Sequence, residues 1–336
     1  WRTDMHGYSR KSRSIAVTAA VAATVAGTMT AAAGTAHAAP RKPAWCKPTG
    51  ALSARAMPQQ VKLAECDLRG RTVHGPNGVS AVVPADGTSL VAHTLRTTGE
   101  DAELRIEVDD RAGAVSITSS GGRVPAGRPR TSRAPTDPCR DGAYNFLPAK
   151  WPRGTTVGWR YHPGGNGLPM SPISQGVSNM VGAHTDCVPG GRFTPAPNVG
   201  ARNTGSSVTP PNLTRGAACG IRNGVNTFGW LAMTTTSPSV LAATCIWFRG
   251  GTTVESDVAL QEFGKRWWTG GTCTPGSYSA EAVATHETGH VLGLEHVTGA
   301  NHSGLTMAPS VGACDDGLAT LGKGDYDGLI ALYGGR

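Results

Sequence analysis

Within residues 279–297, SAEAVATHETGHVLGLEHV, His286 and His290 stand four positions apart, and Glu287 directly follows the first. On a helix, positions i and i+4 share one face about 6 Å apart along the axis, a separation that lets two imidazoles reach one metal ion. Glu287 is rotated off that pair, so it can reach a water at the metal without being a ligand. Gly293 suits the left-handed residue that ends a helix, after which the chain can turn back and deliver His296 as a third ligand. Three neutral nitrogens with a fourth position open describe a catalytic zinc, because structural zinc usually takes four protein ligands. Such an ion lowers the pKa of water towards about 7 and polarises a carbonyl. Glu287 is then the expected general base, taking the water's proton during attack on a peptide carbon and passing it to the leaving amine.

The surrounding pattern predicts the elements that would hold these residues. Val157, Trp159 and Tyr161 alternate as a half-buried strand. Ser171-Pro172 reads as a helix start, Ser as N-cap and Pro as first helical residue, with Ile173, Val177, Met180, Val181 and His184 on one face. Residues 240–248 and 252–260 read as strands paired in a hairpin through Arg249-Gly250-Gly251. Upstream, residues 39–120 contain short alternating runs, such as 78–83 and 102–108, and are expected to be a small β-rich propeptide or accessory domain. Residues 121–138, GGRVPAGRPRTSRAPTDP, read as an exposed Arg/Pro-rich linker open to proteolysis, which leaves 139–336 as the catalytic domain. Residues 1–38 read as a signal peptide, with Arg10, Lys11 and Arg13 before a charge-free run and Ala36-His37-Ala38 as the cleavage site. The expected protein is therefore secreted and extracellular.

Composition narrows the alternatives. With 46 Gly, 23 Pro and 16% charged residues the chain is not a coiled coil or helical array, and 39% hydrophobic residues suffice for a packed core. The net charge of +8 divides as +3 over 1–38, +4 over 39–139 and only +1 over 140–336. No basic stripe interleaved with aromatics remains, so no nucleic-acid partner is expected. No stable membrane association is expected either, because the leader is mostly Ala and Thr and no other run is long and apolar enough to span a bilayer. Eight cysteines, none spaced C-x-x-C, suggest up to four disulfides, with Cys46–Cys66 as a local pair.

The segment from His286 to His296 matches H-E-x-x-H-x-x-G-x-x-H and resembles the zinc signature of the metzincin metalloproteases. Those enzymes carry a methionine turn beneath the metal, and Leu305-Thr306-Met307-Ala308-Pro309 supplies Met307 for that role. With the ending TLGKGDYDGLIALYG, the chain looks most like a matrixin-type domain, strongly over 279–334 and weakly from Asp141. The resemblance implies a mixed α+β fold: a twisted, mostly parallel five-stranded sheet with an active-site helix and a C-terminal helix, behind the β-rich N-terminal region. It also implies a peptide lying along the sheet's edge strand by β-strand addition, with Leu241, Ala242 and Ala243 as the substrate-binding stretch. Asp325 would match the acidic residue that anchors the start of the mature enzyme. Val297 stands where matrixins usually have Ser, and Ala308 replaces the usual aromatic, which leaves Glu287 to carry proton transfer alone.

The same comparison bears on ions and latency. No histidine lies in the edge-strand run, so one catalytic Zn2+ is expected and a second is not; His162, His184 and His302 read as surface or core histidines. Ca2+ is allowed at Glu255, Asp257 and Asp186, although solvated carboxylates are the preferred reading. Cys139 invites comparison with the matrixin cysteine switch, but Asp137-Pro138-Cys139-Arg140-Asp141 lacks the usual flanks. Cys139 is therefore expected in a disulfide to a late loop, with Cys314 as partner. The expected partners are a protein or peptide substrate and an activating protease that cuts the linker, acting on a monomer. Hydrolysis of cell-wall peptide cross-links by the same chemistry, and a non-catalytic secreted binding protein on the same fold, are the alternatives.

Overall fold

A computed structural model describes residues 42–98, 102–121 and 134–336; the expected leader and most of the Arg/Pro-rich stretch lie outside these residues. Nine strands make up the main sheet: β1 (Gln60–Lys62), β2 (Ser89–Arg96), β3 (Glu103–Asp109), β4 (Ala114–Ser120), β5 (Thr156–His162), β6 (Gly200–Ser206), β7 (Thr227–Leu231), β8 (Val240–Arg249) and β9 (Thr252–Gln261). Their order across the sheet is β6-β5-β7-β9-β8-β2-β3-β4-β1. The run β6-β5-β7-β9 is parallel, β8 is antiparallel to β9, and every pair beyond β8 is antiparallel. The mixed α and β architecture holds, but the sheet has nine strands instead of five, because the N-terminal strands continue it without a break.

That continuation changes the place of β8. Its sequence VLAATCIWFR is apolar on both faces and buried from Val240 to Phe248, the pattern of a strand covered on both sides. Leu241 and Ala242 join the core beneath the helices, while Val240, Ala243, Cys245 and Trp247 pack with Val79, Leu90, Leu104 and Ile106 of the N-terminal region. The expected edge strand is thus an interior strand, with β2 hydrogen-bonded along it from Val240 to Phe248.

Three helices lie with this sheet: α1 (Ser171–Val181), α2 (Ala280–Val291) and α3 (Lys323–Tyr333). In α1, Pro172 takes the first turn as expected, but Met170 is the N-cap and the Ser171 side chain makes no cap bond. Ile173, Val177 and Met180 form the buried stripe, whereas His184 lies beyond the helix end. Gly176 marks the crossing with α2, where a Cβ would lie 2.6 Å from the Thr285 backbone nitrogen. Only a residue without a side chain lets the two backbones approach so closely.

All eight cysteines are paired: Cys46–Cys66, Cys139–Cys187, Cys219–Cys245 and Cys273–Cys314. Cys46–Cys66 is the expected local pair. Cys139, however, bonds Cys187 in the loop after α1, and Cys314 takes Cys273, so the expected Cys139–Cys314 bridge does not form. A bonded Cys139 also carries no thiol for a metal. Among the described residues, no helix is long and apolar enough to cross a membrane.

Candidate metal centre

Helix α2 positions the first two imidazoles. Ser279 caps it by accepting a hydrogen bond from the Ala282 nitrogen, Glu281 lies in its first turn, and every residue from Ala282 to Val291 is buried. Gly293, at φ +98°, turns the chain out of the helix as expected, and a Cβ there would meet the Ala149 carbonyl oxygen at 2.8 Å. Leu294–Glu295 then pairs with Asn145–Phe146 and brings His296 back to the helix. The Asn145 side-chain amide donates to the His296 carbonyl at 2.9 Å, which fixes this return.

The three rings converge through one atom each. His286 Nε2 and His290 Nε2 both lie 3.0 Å from His296 Nε2. Their other nitrogens are occupied: His286 Nδ1 is 2.7 Å from the Thr306 carbonyl oxygen and His290 Nδ1 is 2.9 Å from that of Leu294. A carbonyl can only accept, so both Nδ1 atoms carry the proton and both Nε2 lone pairs face inward. Burial, joined by the neighbouring imidazoles His93, His296 and His286, pushes His290 well below the usual histidine range and keeps it neutral. Neutral nitrogens aimed at one point are a donor set for a zinc-class ion, with the carbonyl bonds setting ring orientation.

Glu287 is buried on the same helix. Its Oε2 accepts a hydrogen bond from the Thr244 hydroxyl of β8, whereas its Oε1 makes no hydrogen bond in the described protein. Burial raises its pKa to about 8, with the Thr244 bond opposing the rise.

Beneath the rings, Met307 is buried, and a Cβ on Gly289 would lie 2.2 Å from its sulfur. The methionine thus occupies the space that Gly289 leaves between the two helical histidines. Asp325 faces the methionine turn in the uncleaved chain. Its carboxylate accepts from the backbone nitrogens of Thr306 (2.9 Å), Met307 (3.0 Å) and Gly322 (2.9 Å), so it holds the methionine turn whose Thr306 carbonyl orients His286. Burial raises Asp325 to about 6 in spite of those three bonds.

The carboxylates considered for calcium behave differently from expectation. Glu255 and Asp257 are buried instead of solvated, and they accept from the backbone nitrogens of Asn223, Gly224, Asn212 and Thr227. Asp186 lies on the surface and bonds the Thr320 hydroxyl. His162 and His184 are half-buried, and His302 pairs with Asp141 at 2.7 Å.

Sequence reasoning missed Thr244 and, above all, His93. His93 lies on β2 opposite Thr244, its ring stacked on His290 at a centroid distance of 4.1 Å and edge-on to His296 at 5.4 Å. Ligand atoms of His93, His290 and His296 all lie within 4.8 Å of one another. The available signal was one imidazole inside the strand SLVAHTLR, whose significance depends on which strand β2 joins. Leu241, Ala242 and Ala243 are buried on β8, and β2 pairs with Ala242 through Leu95 and with Ala243 through Thr94.

Residues 239–334 match the family model described as Matrixin. No curated protein matches the chain.

Proposed function

We propose that this chain, which carries a matrixin-like metzincin domain over residues 239–334, is an exported zinc-dependent endopeptidase. The observation that carries the reading is the convergence of His286 and His290 Nε2 on His296 Nε2, with both helical Nδ1 atoms already bonded to carbonyls. His286, His290 and His296 would hold Zn2+, which supplies Lewis-acid polarisation of the scissile carbonyl and acidifies a water. Glu287 takes the proton of that water through Oε1, while Thr244 fixes Oε2, and then delivers it to the leaving amine. Met307 and Asp325 maintain the floor under the rings. With β2 withdrawn, the substrate backbone would align with β8 along Leu241, Ala242 and Ala243 by strand addition. Four disulfides fit an oxidising compartment and accord with residues 1–38 acting as an export signal.

Casein hydrolysis tests this reading. The zinc-loaded chain would be cut within residues 122–133, freed of residues 42–121, and compared with its Glu287→Ala variant and a chelated sample. Activity in the wild type alone, restored to the chelated sample by zinc, is the expected result. Equal activity in Glu287→Ala would remove Glu287 as base. Inactivity in a folded, zinc-loaded wild type would favour a narrow cell-wall peptide substrate or a binding role.

A further inference from the structure

Helix α2 ends in carbonyls that its own turns cannot serve. The Leu292 nitrogen bonds back to Thr288 and Gly289 and the Gly293 nitrogen to His290, which leaves the Val291 and Leu292 carbonyls beyond the reach of helical donors. Each finds a side-chain donor from a distant part of the chain. The Trp151 indole Nε1 donates to the Val291 carbonyl at 3.0 Å, and the Tyr333 hydroxyl donates to that of Leu292 at 2.7 Å. The Trp151 backbone N–H donates in turn to the Tyr333 oxygen at 3.2 Å, so the two donors are joined. Tyr333 is buried, and burial raises its phenol above the ordinary range in spite of that N–H, so the oxygen keeps the proton it donates.

The same accounting runs on to the third imidazole. The Gly293 carbonyl accepts from the Leu147 nitrogen at 2.9 Å, and the Leu294 carbonyl faces His290 Nδ1 at 2.9 Å. Each carbonyl from Val291 to Leu294 thus has its own donor, and these donors come from residues 147–151, from α3 and from a helical histidine. Residues 147–151 are themselves fixed to the hairpin between β8 and β9: the Lys150 nitrogen donates to the Gly251 carbonyl, and the Lys150 carbonyl accepts from the Thr253 nitrogen. The Lys150 ammonium donates to the Leu332 carbonyl, which ties the same stretch to α3. Helix α3 therefore reaches the centre from both ends. Asp325 in its first turn holds the methionine turn, and Tyr333, its last residue, holds the exit of α2.

We infer that Trp151 and Tyr333 are positioning residues of the metal centre: by filling the last two carbonyls of α2 they fix the direction in which the chain leaves the helix, and with it the place of His296 relative to His286 and His290. The inference rests on the three-histidine zinc reading and names the residues that keep the ligand set in register. Because His290 Nδ1 bonds the Leu294 carbonyl, a change in the exit of the helix moves the second and third ligands together. Removing either donor also strands a carbonyl with no partner of its own, which favours a shifted turn that finds another.

The test uses the intact full chain and reads metal binding apart from activity: Zn2+ affinity by competition with a chromogenic chelator, and the visible absorption of the Co2+-loaded protein. Wild type is compared with Tyr333→Phe, Trp151→Phe and a control, Tyr161→Phe, which loses a buried hydroxyl bonded to the Leu168 carbonyl at 2.6 Å on another element. Tyr333→Phe and Trp151→Phe are each expected to lower Zn2+ affinity about 10-fold and to shift the Co2+ spectrum, while Tyr161→Phe leaves both unchanged. A purely structural role predicts instead that all three variants lose stability to denaturant but bind metal as wild type does when folded. That result, or a loss of affinity just as large in Tyr161→Phe, would overturn the inference. Should Tyr333→Phe not fold, Trp151→Phe, at a partly buried position, decides by the same two readouts. A wild type that takes up no metal would sink the zinc reading and the inference with it. Metal binding that falls in both variants, beside a fragment-free wild type that cleaves no casein, would sink the peptidase reading and leave the positioning role standing.

Discussion

The site draws imidazoles from two regions built on different principles. In residues 280–307, His286 and His290 are set by one helical turn, and each ring is tied through Nδ1 to a carbonyl within 2.9 Å. The backbone N–H of the same Thr306 in turn donates to the Asp325 carboxylate. On β2, His93 is set by register: its place depends on β2 pairing with β8 so that His93 meets Thr244. The first arrangement is local and fixed by hydrogen bonds within the protein, as a binding centre requires. The second is non-local and depends on a segment with no disulfide to residues 134–336.

The sharpest break of this comparison is His290→Ala. It should lower zinc affinity by more than the 10–100-fold (approximate) cost of losing an outer-shell partner, and should abolish peptide hydrolysis, as measured by chelator competition and casein assay. By contrast, His93→Phe should leave zinc stoichiometry at one. Next in size is Asp325→Ala, which strands three buried backbone donors and should cost about 2–4 kcal/mol in denaturant unfolding. The same change should weaken zinc binding by about 10-fold through the loosened Thr306 carbonyl. Gly289→Ala comes third. A Cβ 2.2 Å from the Met307 sulfur must displace that side chain, at about 1–3 kcal/mol, read as a lower melting temperature.

The smallest effect concerns the junction between the two regions. Asp86 bonds Arg222 at 2.6 Å, with Glu255 on the far side of the guanidinium, and the Arg249 side chain donates to the Asp86 carbonyl. Burial pulls the Asp86 pKa up, but hydrogen bonds from Thr88 and Arg222 outweigh it and hold the group at about 2. A depressed carboxylate contributes stability above its ordinary value of 3.8, and that contribution is lost as pH falls through about 2. In a nicked chain, wild type should therefore release residues 42–121 more readily at pH 2 than at pH 5. Asp86→Asn should release them more readily at pH 5 as well. Because the pair is partly exposed, the change should stay below about 1 kcal/mol.

Features set by short-range pattern were legible in the sequence. The helix spacing of His286 and His290, the turn at Gly293, the alternation of Val157, Trp159 and Tyr161, and the hairpin around Arg249-Gly250-Gly251 all follow from local periodicity and turn chemistry. Features set by long-range pairing were not. β8 reads equally well as a covered strand or as one edge of a sheet, and only the arrival of β2, about 150 residues earlier in the chain, distinguishes them. His93 was invisible for that reason, and Cys187 as the partner of Cys139 for a similar one, because spacing does not select among disulfide pairings. Asp325 was identified as an anchor, but its three donors come from the methionine turn and from Gly322.

The most direct measurement is a crystal of the intact zinc-loaded chain with anomalous scattering recorded on both sides of the zinc absorption edge. The account predicts one zinc peak about 2.1 Å from Nε2 of His286, His290 and His296. No peak among the three imidazoles, or a zinc bound elsewhere, would contradict the peptidase centre.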